Sequence, residues 1–400
     1  MIRLETALQK ILDFLPPPVG ESIALSDATG RWLAEDISSS VNLPSFDNSA
    51  MDGYAVRASD VTAATAATPV RLKVVARIPA GAGFDGAVGA GECARLFTGS
   101  LLPAGVDAVV MQEDTRADPT RPDEVLICNA VKPGESVRHQ GEDVRSGATI
   151  AHAGAELTPG RLALLAATGF REIAVGRRPV VGLLATGSEL REAGQPLSPG
   201  QIYESNRVML AALVARAGGG PMVYPLVPDT LEETAAALTT AFAECDLVVT
   251  SGGVSVGEMD FVKLAFEQLG GQLEFWKVAI RPGKPFVFGR LREKFLFGLP
   301  GNPVSAFVTF LLLVRPALLR CQGAGEIELR QQPGVLAEAV ANRGGRRHFC
   351  RVQIDETGRV RSAGQQASHA LNSLANANGL LDLPVAAELA TGTPVQVLRW

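Results

Sequence analysis

A regular alternation of predicted strands and helices between residues 180 and 269 constrains the fold of this chain more than any other feature. Apolar runs predict strands at residues 180–184, 222–227 and 247–249, and helical spacing predicts helices at residues 205–217, 231–243 and 260–269. Such alternation is typical of a mainly parallel sheet covered by helices. Because ligands of these sheets bind beyond the carboxyl ends of the strands, the loops at those ends are the first candidates for a functional site.

The loop between the last of these strands and its helix is rich in glycine. Its glycines let the backbone turn sharply and expose amides, and the helix that follows adds positive potential, so the loop suits an anion such as a phosphate. A carboxylate at its end suits an accompanying divalent cation. The alternative is an ordinary connecting loop in which Asp260 caps the helix, and the pattern leaves both open. The candidate residues are Ser251, Gly252, Gly253, Ser255, Gly257 and Asp260.

Two further loops join a strand to a helix through glycine and hydroxyl or amide side chains. We expect all three loops to share one edge of the sheet. None of them matches the dinucleotide pattern GxGxxG or the P-loop pattern GxxxxGK[ST], so the common nucleotide fingerprints are absent. The candidates in the loop at residues 185–189 are Thr186, Gly187 and Glu189, and those in the loop at residues 299–306 are Pro300, Gly301, Asn302, Pro303 and Ser305.

Charged residues accompany these loops. Lys277, Arg281 and Lys284 flank a Pro-Gly bend, which indicates either recognition of a polyanion or a solvated basic face. Asp229 follows the predicted strand at residues 222–227 and stands with Glu189 and Asp260 at the same predicted edge. The three carboxylates could hold Mg²⁺, or each could cap a helix.

The remaining pattern divides the chain into four parts. An amphipathic helix is predicted at residues 3–15, and short β runs from about residue 70 indicate a small inserted β module. After the α/β alternation, residues 272–280 read as one strand, followed by strands at 286–289 and 294–298, a helix at 304–319 and a small C-terminal β domain. We predict a multidomain α/β plus β protein with domains at residues 1–40 with 145–176, 41–144, 177–323 and 324–400.

Composition excludes several classes of protein. The formal net charge of −5 gives no general case for nucleic-acid binding. The longest apolar run, residues 304–314, is shorter than the roughly 20 residues of a membrane-spanning helix. The N-terminus lacks the features of a signal peptide, so we expect a cytoplasmic protein without membrane contact. Five scattered cysteines without CxxC spacing are expected to be reduced, and the four histidines form no zinc pattern.

At the level of motifs, the chain resembles one family over nearly its whole length. The strings DNSAMDGYAV, TGSEL, SGGVSVGEMD, RPGKP and GLPGNPVSA, in this order, resemble the molybdopterin molybdenumtransferase family, known as MoeA in bacteria and as the E domain of gephyrin. The resemblance implies four subdomains and an elongated homodimer, with a cleft where the β insertion of one subunit faces the α/β domain of the other. It also implies that adenylylated molybdopterin and molybdate react with Mg²⁺, that the metal enters the dithiolene, and that AMP leaves.

The resemblance also implies roles for individual residues. Glu189 and Asp260 would bind Mg²⁺, and Thr98, Arg281, Arg347, Ser368 and Ser373 would join the loop residues above in holding the cofactor. Transient contacts with molybdopterin adenylyltransferase and with downstream cofactor-handling proteins are expected. The implied catalytic residues are Asp52, Asp143, Glu189, Asp229, Asp260, Lys277 and Lys284.

The implied chemistry is consistent with these residue types. Molybdate is a dianion that approaches an already anionic ligand, so cations and helix termini must offset the repulsion. The sequence has no recognisable Cys–His or Ser–His pair, so it gives little support for covalent catalysis. Two alternatives remain: an adenylyltransferase acting one step earlier, for which the α/β domain alone would suffice, and a gephyrin-like scaffold that binds a receptor peptide.

Overall fold

The computed structural model describes residues 1–253 and 261–400. Within these residues the chain forms two compact units. The first consists of Met1–Glu35, Ala153–Leu157 and Ile173–Trp400, and the second of Asp36–His152 and Thr158–Glu172. Three predicted site residues, Ser255, Gly257 and Asp260, lie outside the described residues.

A six-stranded mixed sheet forms the centre of the first unit and confirms the predicted α/β alternation. Its four neighbouring parallel strands are followed by two antiparallel strands at one edge. The strand predicted at residues 222–227 is shorter and earlier than expected. The strand order is Gly220–Val223, Val180–Ala185, Leu247–Ser251, Lys294–Leu299, Val287–Leu291 and Gln272–Trp276.

Hydrophobic packing on both faces explains the central position of Leu247–Ser251. All five residues are buried, as expected for a parallel strand covered on two sides. Leu247 and Val249 pack into one core cluster and Val248 into another, because successive side chains point to opposite faces. Burying a side chain of this size contributes roughly 1.5–3 kcal/mol. The helix Asn206–Arg216 contributes to the first cluster, and the helices Leu231–Glu244 and Phe261–Gln268 contribute to the second.

A long buried helical segment follows the sheet. It comprises the α-helix Pro303–Thr309, a π-helical turn at Phe310–Val314 and the α-helix Arg315–Cys321. Among the described residues, this segment alone is long and apolar enough to span a membrane, but 83% of its most apolar stretch is buried inside the protein, as is usual for a core helix. The N-terminal helix Leu4–Phe14 places Ile11 in the same core cluster.

The prediction of one strand over residues 272–280 is wrong. The strand ends at Trp276 because Lys277 adopts a left-handed backbone conformation with φ of 80°. The chain then forms the short strand Ile280–Arg281, which pairs with Arg347–Ile354 of a different sheet. The basic segment therefore joins the α/β sheet to the C-terminal domain.

The C-terminal domain is a closed five-stranded barrel, in agreement with the predicted small β domain. The barrel closes because Arg347–Ile354 pairs with both Arg359–Ser362 and Gly379–Leu383. The helix Leu371–Ala375 lies between two of its strands in the chain. The strands in spatial order are Arg347–Ile354, Arg359–Ser362, Arg330–Leu336, Pro394–Arg399 and Gly379–Leu383.

Short pairings complete the first unit. They join Gly20–Ala24 to Glu172–Gly176, Leu190–Arg191 to Ile202–Tyr203, and Val340–Ala341 to Glu388–Leu389.

The second unit contains the predicted β module. The helix Pro159–Ala167 begins after Thr158, whose side chain accepts a hydrogen bond from the amide of Arg161, as the Thr-Pro sequence predicts. Two short pairings join Asn48–Ser49 to Val137–Arg138 and Ile37–Ser38 to Thr149–Ala151. The order of its six-stranded sheet is Ala108–Met111, Gly53–Val56, Glu92–Leu96, Val70–Ile78, Glu124–Ile127 and Thr115–Ala117.

All five cysteines are free, as the sequence predicts. Burial raises the pKa of Cys93 and of Cys321 to about 12, so both remain thiols at neutral pH.

Candidate active site

A cleft of about 700 Å³, here called the main cleft, lies at the carboxyl ends of three parallel strands. After Val180–Ala185 the chain moves to the edge strand Gly220–Val223 and then returns to the opposite neighbour, Leu247–Ser251. Connections that diverge in this way leave a crevice at the strand ends. The cleft brings together the predicted residues Thr186, Gly187, Glu189, Asp229, Ser251, Gly252, Gly253, Pro300, Gly301, Asn302 and Pro303.

Backbone hydrogen bonds hold the three predicted loops together. The amide of Thr186 donates to the carbonyl of Ser251 at 3.1 Å, and the amide of Gly252 donates to the carbonyl of Leu299 at 3.1 Å. Glycine is required here, because a Cβ at Gly252 would lie 2.6 Å from the carbonyl oxygen of Thr186 and one at Gly253 would lie 2.6 Å from Val262. At these two positions glycine thus permits close packing between loops.

Asn206, which was not predicted, connects two of the loops through its side chain. Its Nδ2 donates to Oγ of Ser251 at 2.7 Å and to the carbonyl oxygen of Gly301 at 2.7 Å. Oδ1 of Asn206 and Oγ1 of Thr186 are buried at the cleft and have no hydrogen-bond partner among the described residues. Their unsatisfied hydrogen-bonding capacity makes these two oxygens candidates for contact with a ligand.

A buried ion pair fixes the start of the helix that carries Asn206. Oε1 of Glu204 accepts hydrogen bonds from the amides of Asn206 and Arg207, and Oε2 accepts one from Nε of Arg207 at 3.0 Å. Burial opposes the charge of Arg207, but hydrogen bonds to Glu192 and Glu204 raise its pKa above the ordinary value. The cation therefore stays charged and holds Glu204 in its capping position.

Three described carboxylates line the cleft, and one of them, Glu204, is paired with Arg207; the other two are Glu189 and Asp229. Oδ2 of Asp229 accepts a hydrogen bond from the amide of Ser188 at 2.9 Å, and the amide of Asp229 donates to Oγ of Ser188 at 3.2 Å. Glu189 is exposed. In the part of the chain that the structure describes, no three His, Cys, Asp or Glu side chains form a metal-binding group.

A second cavity of about 410 Å³, here called the cationic pocket, adjoins the main cleft and shares Pro285, Asn302 and His369 with it. It brings together three cations, Arg281, Lys284 and Arg346, and the predicted hydroxyl residues Ser305 and Ser368. The amide of Val304 donates to the carbonyl of Ser368 at 3.1 Å, so the helix start holds the Ser368 loop in place. Nη1 of Arg346 donates to the carbonyl of Ile280 at 2.9 Å.

Three other predicted residues line neither cavity. Nζ of Lys277 lies 3.7 Å from the ring centroid of Trp276. Arg347 forms ion pairs with Asp382 and Glu5, and hydrogen bonds to Asp382 raise its pKa. Ser373 is buried, and its Oγ accepts a hydrogen bond from Nε of Arg351 at 2.9 Å. Functional roles for Lys277, Arg347 and Ser373 stay predictions.

The second unit holds the predicted Asp52, Thr98 and Asp143. Oδ1 of Asp52 accepts hydrogen bonds from the amide of Thr98 at 2.8 Å and from its hydroxyl at 2.9 Å. The hydrogen bond from the backbone amide of Thr98 has the larger effect and that from its hydroxyl the smaller, and together they hold the pKa of Asp52 below its usual value. The residue after Asp52 must be glycine, because a Cβ at Gly53 would lie 2.0 Å from the carbonyl oxygen of Val110. Asp143 is exposed.

Comparisons with known proteins place this architecture in a family. Residues 2–169 match the MoeA N-terminal region (domain I and II), residues 182–320 match a probable molybdopterin binding domain, and residues 333–400 match the MoeA C-terminal region (domain IV). The molybdopterin molybdenumtransferase of Haemophilus influenzae is 42% identical over 94% of this chain and 93% of its own length. The chain belongs to the MoeA family of molybdopterin molybdenumtransferases. It is thereby an enzyme of molybdenum cofactor biosynthesis.

Other members of the MoeA family agree with this assignment. The molybdopterin molybdenumtransferase of Bacillus subtilis is 35% identical over 99% of this chain and 94% of its own length. A crystal structure of a molybdopterin biosynthesis MoeA protein from Pyrococcus horikoshii OT3 is 32% identical, covers 100% of both chains and superposes with a TM-score of 0.86. The full coverage supports the complete multidomain fold.

Sequence reasoning missed Asn206, Arg346 and His369, which line the cavities of this MoeA family member. A signal existed for Asn206, since Glu204-Ser205-Asn206 is a polar run at a predicted helix start. Arg346 and Arg347 are adjacent, and successive side chains at a strand point in opposite directions, so the sequence does not say which one faces a ligand.

Proposed function

We propose that this enzyme inserts molybdate into the dithiolene of adenylylated molybdopterin and releases AMP. The observation that carries the proposal is the adjacency of the main cleft and the cationic pocket, which share Pro285, Asn302 and His369. One cavity suits a phosphate-bearing organic ligand and the other suits a small oxyanion. Their shared wall would bring the two substrates together.

The cationic pocket supports the part of the proposal that concerns molybdate. Arg281, Lys284 and Arg346 supply three positive charges, and Ser305 and Ser368 supply hydroxyl groups that can donate to oxygen. A dianion would gain charge-assisted hydrogen bonds there, and the cations would offset its repulsion by the substrate phosphates.

The main cleft supports the part that concerns the pterin nucleotide. Loop backbone at Gly187, Gly252 and Gly301 lines it, and the helix beginning at Pro303 adds positive potential at its rim. Backbone so placed can approach a pyrophosphate closely. Predicted contacts from Ser255 and Gly257 would extend this binding.

The residues of the main cleft fit the predicted Mg²⁺. Glu189 and Asp229 offer carboxylate oxygens, and Thr186 and Asn206 offer buried oxygens that have no hydrogen-bond partner among the described residues. Mg²⁺ prefers oxygen ligands of this kind, and when bound it would offset negative charge on the phosphates. The proposed ligands are Glu189 and Asp260, as the family resemblance implies.

Asp52 and Asp143 complete the proposed catalytic set. On the basis of the family resemblance, we assign the Asp52 and Asp143 of one subunit to the main cleft of the other subunit in a homodimer. Because hydrogen bonds from Thr98 favour the ionised form of Asp52, that carboxylate would orient a cationic or proton-donating group. A cytoplasmic location and transient exchange of cofactor with molybdopterin adenylyltransferase and downstream cofactor-handling proteins belong to the same proposal.

The proposal is tested by incubating the purified protein with adenylylated molybdopterin, Mg²⁺ and molybdate and measuring AMP by chromatography. AMP should appear in the complete mixture and fall to the blank when molybdate or Mg²⁺ is omitted. No AMP above the blank would exclude the proposed reaction. Consumption of ATP with unmodified molybdopterin would instead identify an adenylyltransferase.

A further inference from the structure

A separate cavity of about 670 Å³ lies in the first unit and shares no lining residue with the main cleft or the cationic pocket. It is formed by the loop around Gly30, the end of the helix Asn206–Arg216, the helix Arg315–Cys321, and the start of the first strand and end of the last strand of the C-terminal barrel. Five arginines line it against three glutamates, so its walls are basic although the whole chain is acidic. This arginine pocket is defined by Arg178, Arg216, Arg315, Arg330 and Arg399.

None of the five arginines of this pocket forms an ion pair with a carboxylate of the described residues. The arginine ion pairs found in the described part of the chain involve other arginines, such as Arg177, Arg207 and Arg347. Arg315 donates a hydrogen bond to the carbonyl of Ile327 at 2.8 Å. Burial lowers the pKa of Arg315, and repulsion by Arg216 and Arg330 lowers it further. The folded protein thus keeps uncompensated positive charge at this place.

A like-charge pair within the barrel strengthens the argument. Arg330 and Arg399 are directly opposite each other in the antiparallel pairing of Arg330–Leu336 with Pro394–Arg399. Opposed like charges at this position destabilise a sheet. An anion bound between them would convert the repulsion into charge-assisted hydrogen bonds.

Aromatic and apolar groups form the rest of the wall. Trp32 and Trp400 both line the pocket, and the ring of Trp400 is held by Phe307 at a centroid distance of 5.0 Å in an edge-on arrangement. Leu311 and Leu319 lie beside them. A flat ring can stack on an indole while guanidinium groups bind an attached phosphate. The volume is that of a typical small-molecule site.

We propose that the arginine pocket binds an organic phosphate that carries an aromatic ring, the chemical class of the nucleoside phosphates. This inference goes beyond the proposed metal insertion. It requires neither the main cleft nor the cationic pocket, so the two proposals can fail independently.

The distribution of tryptophans provides a direct test. The chain has three tryptophans, and two of them line the arginine pocket. In a Trp276→Phe background, the intrinsic fluorescence therefore comes from Trp32 and Trp400. We expect titration with AMP to change this fluorescence saturably, and Arg216→Gln and the double variant Arg216→Gln/Arg315→Gln to weaken binding about tenfold or more.

Matched variants make the test specific. Arg320→Gln removes an exposed arginine from the same helix as Arg315, and Lys284→Gln alters the cationic pocket; both should keep the affinity for AMP. Thermal melting confirms that each variant is folded, and Arg216→Gln alone decides the test if the double variant is not. No saturable change, or equal affinity in Arg216→Gln and Arg320→Gln, would overturn the proposal. Inorganic phosphate binding as tightly as AMP would also overturn it, since the ring would then contribute nothing.

Discussion

Nδ2 of Asn206 donates a 2.7 Å hydrogen bond to Oγ of Ser251, which joins the start of a helix to the end of the central strand of the sheet. The same nitrogen reaches the carbonyl of Gly301 at 2.7 Å. One buried amide thus sets the relative position of two loops of the main cleft, and the ion pair of Glu204 with Arg207 holds that amide in place.

Asn206→Ala should reduce both stability and activity. Removal of the amide leaves the carbonyl of Gly301 and the hydroxyl of Ser251 with fewer partners, so we expect a loss of about 1–3 kcal/mol in the free energy of unfolding, measured in urea. AMP release should fall because the loops are no longer fixed. Asn129→Ala, at an exposed position in the second unit, should change neither quantity. A fully active Asn206→Ala would contradict the positioning role.

Lys284→Gln and Arg346→Gln should each raise KM for molybdate about tenfold or more, because each removes a charge from the cationic pocket. Lys284→Arg keeps the charge and should lose less. Steady-state kinetics at fixed ionic strength measure the effect. Arg343→Gln alters a neighbouring arginine that is 87% exposed and should leave KM unchanged. If Lys284→Gln and Arg346→Gln both have the wild-type KM, molybdate binds elsewhere.

Asp52→Ala should abolish AMP release while the melting temperature stays close to the wild-type value. Asp52 is exposed, and its side-chain hydrogen bonds involve Thr98 alone among the described residues. Asp52→Asn removes the negative charge but nearly keeps the shape of the side chain, and we expect this variant to be inactive as well. Asp85→Ala, an exposed aspartate in the same unit, is the matched control and should be fully active. Retained activity in Asp52→Ala would remove this residue from the catalytic set.

The stability of the protein should decrease in mild acid because of His348. Burial, with repulsion from Arg281, Arg351 and Arg346, lowers the pKa of His348 from 6.5 to about 4. The unfolded chain binds the proton more tightly, so the contribution is fully present above pH 6.5 and is lost as the pH falls from 6.5 to 4. The expected loss is about 1–3 kcal/mol.

Urea unfolding at several pH values checks this prediction. His348→Leu should have a weaker pH dependence of stability in this range than the wild type, whereas His152→Leu, at an exposed position, should keep the wild-type dependence. Carboxylates titrate in a similar pH range in both proteins. The difference in the free energy of unfolding between wild type and His348→Leu therefore isolates the contribution of the histidine. A constant difference across the range would contradict the prediction.

The proposed homodimer predicts complementation between two impaired variants, assayed at a molybdate concentration below KM. If Asp52 of one subunit serves the α/β domain of its partner, co-expressed Asp52→Ala and Lys284→Gln chains should form mixed dimers that retain one intact site. AMP release should then exceed that of either variant alone, and light scattering should give a dimer mass. A monomer mass with no recovery of activity would exclude the shared site.

Periodicity allowed much of the fold to be predicted, but it does not reveal where a backbone departs from its pattern. The alternation of the α/β sheet and the grouping of the loops at Thr186, Ser251 and Gly301 followed from local patterns. The strand break at Lys277 did not, because a left-handed non-glycine residue has no sequence signature. The proximity of Arg346 to Lys284 depends on how the barrel meets the sheet, and contacts between distant segments cannot be read from local patterns.

The coupling between AMP release and metal insertion tests the central claim most directly. Adenylylated molybdopterin, Mg²⁺ and labelled molybdate should be incubated with the enzyme, and both AMP and pterin-bound molybdenum should be measured in the same sample. The account predicts one AMP for each molybdenum atom incorporated, with both products lost together in Asp52→Ala and reduced together in Lys284→Gln at molybdate concentrations below KM. AMP release without incorporated molybdenum, or incorporation without AMP, would contradict it.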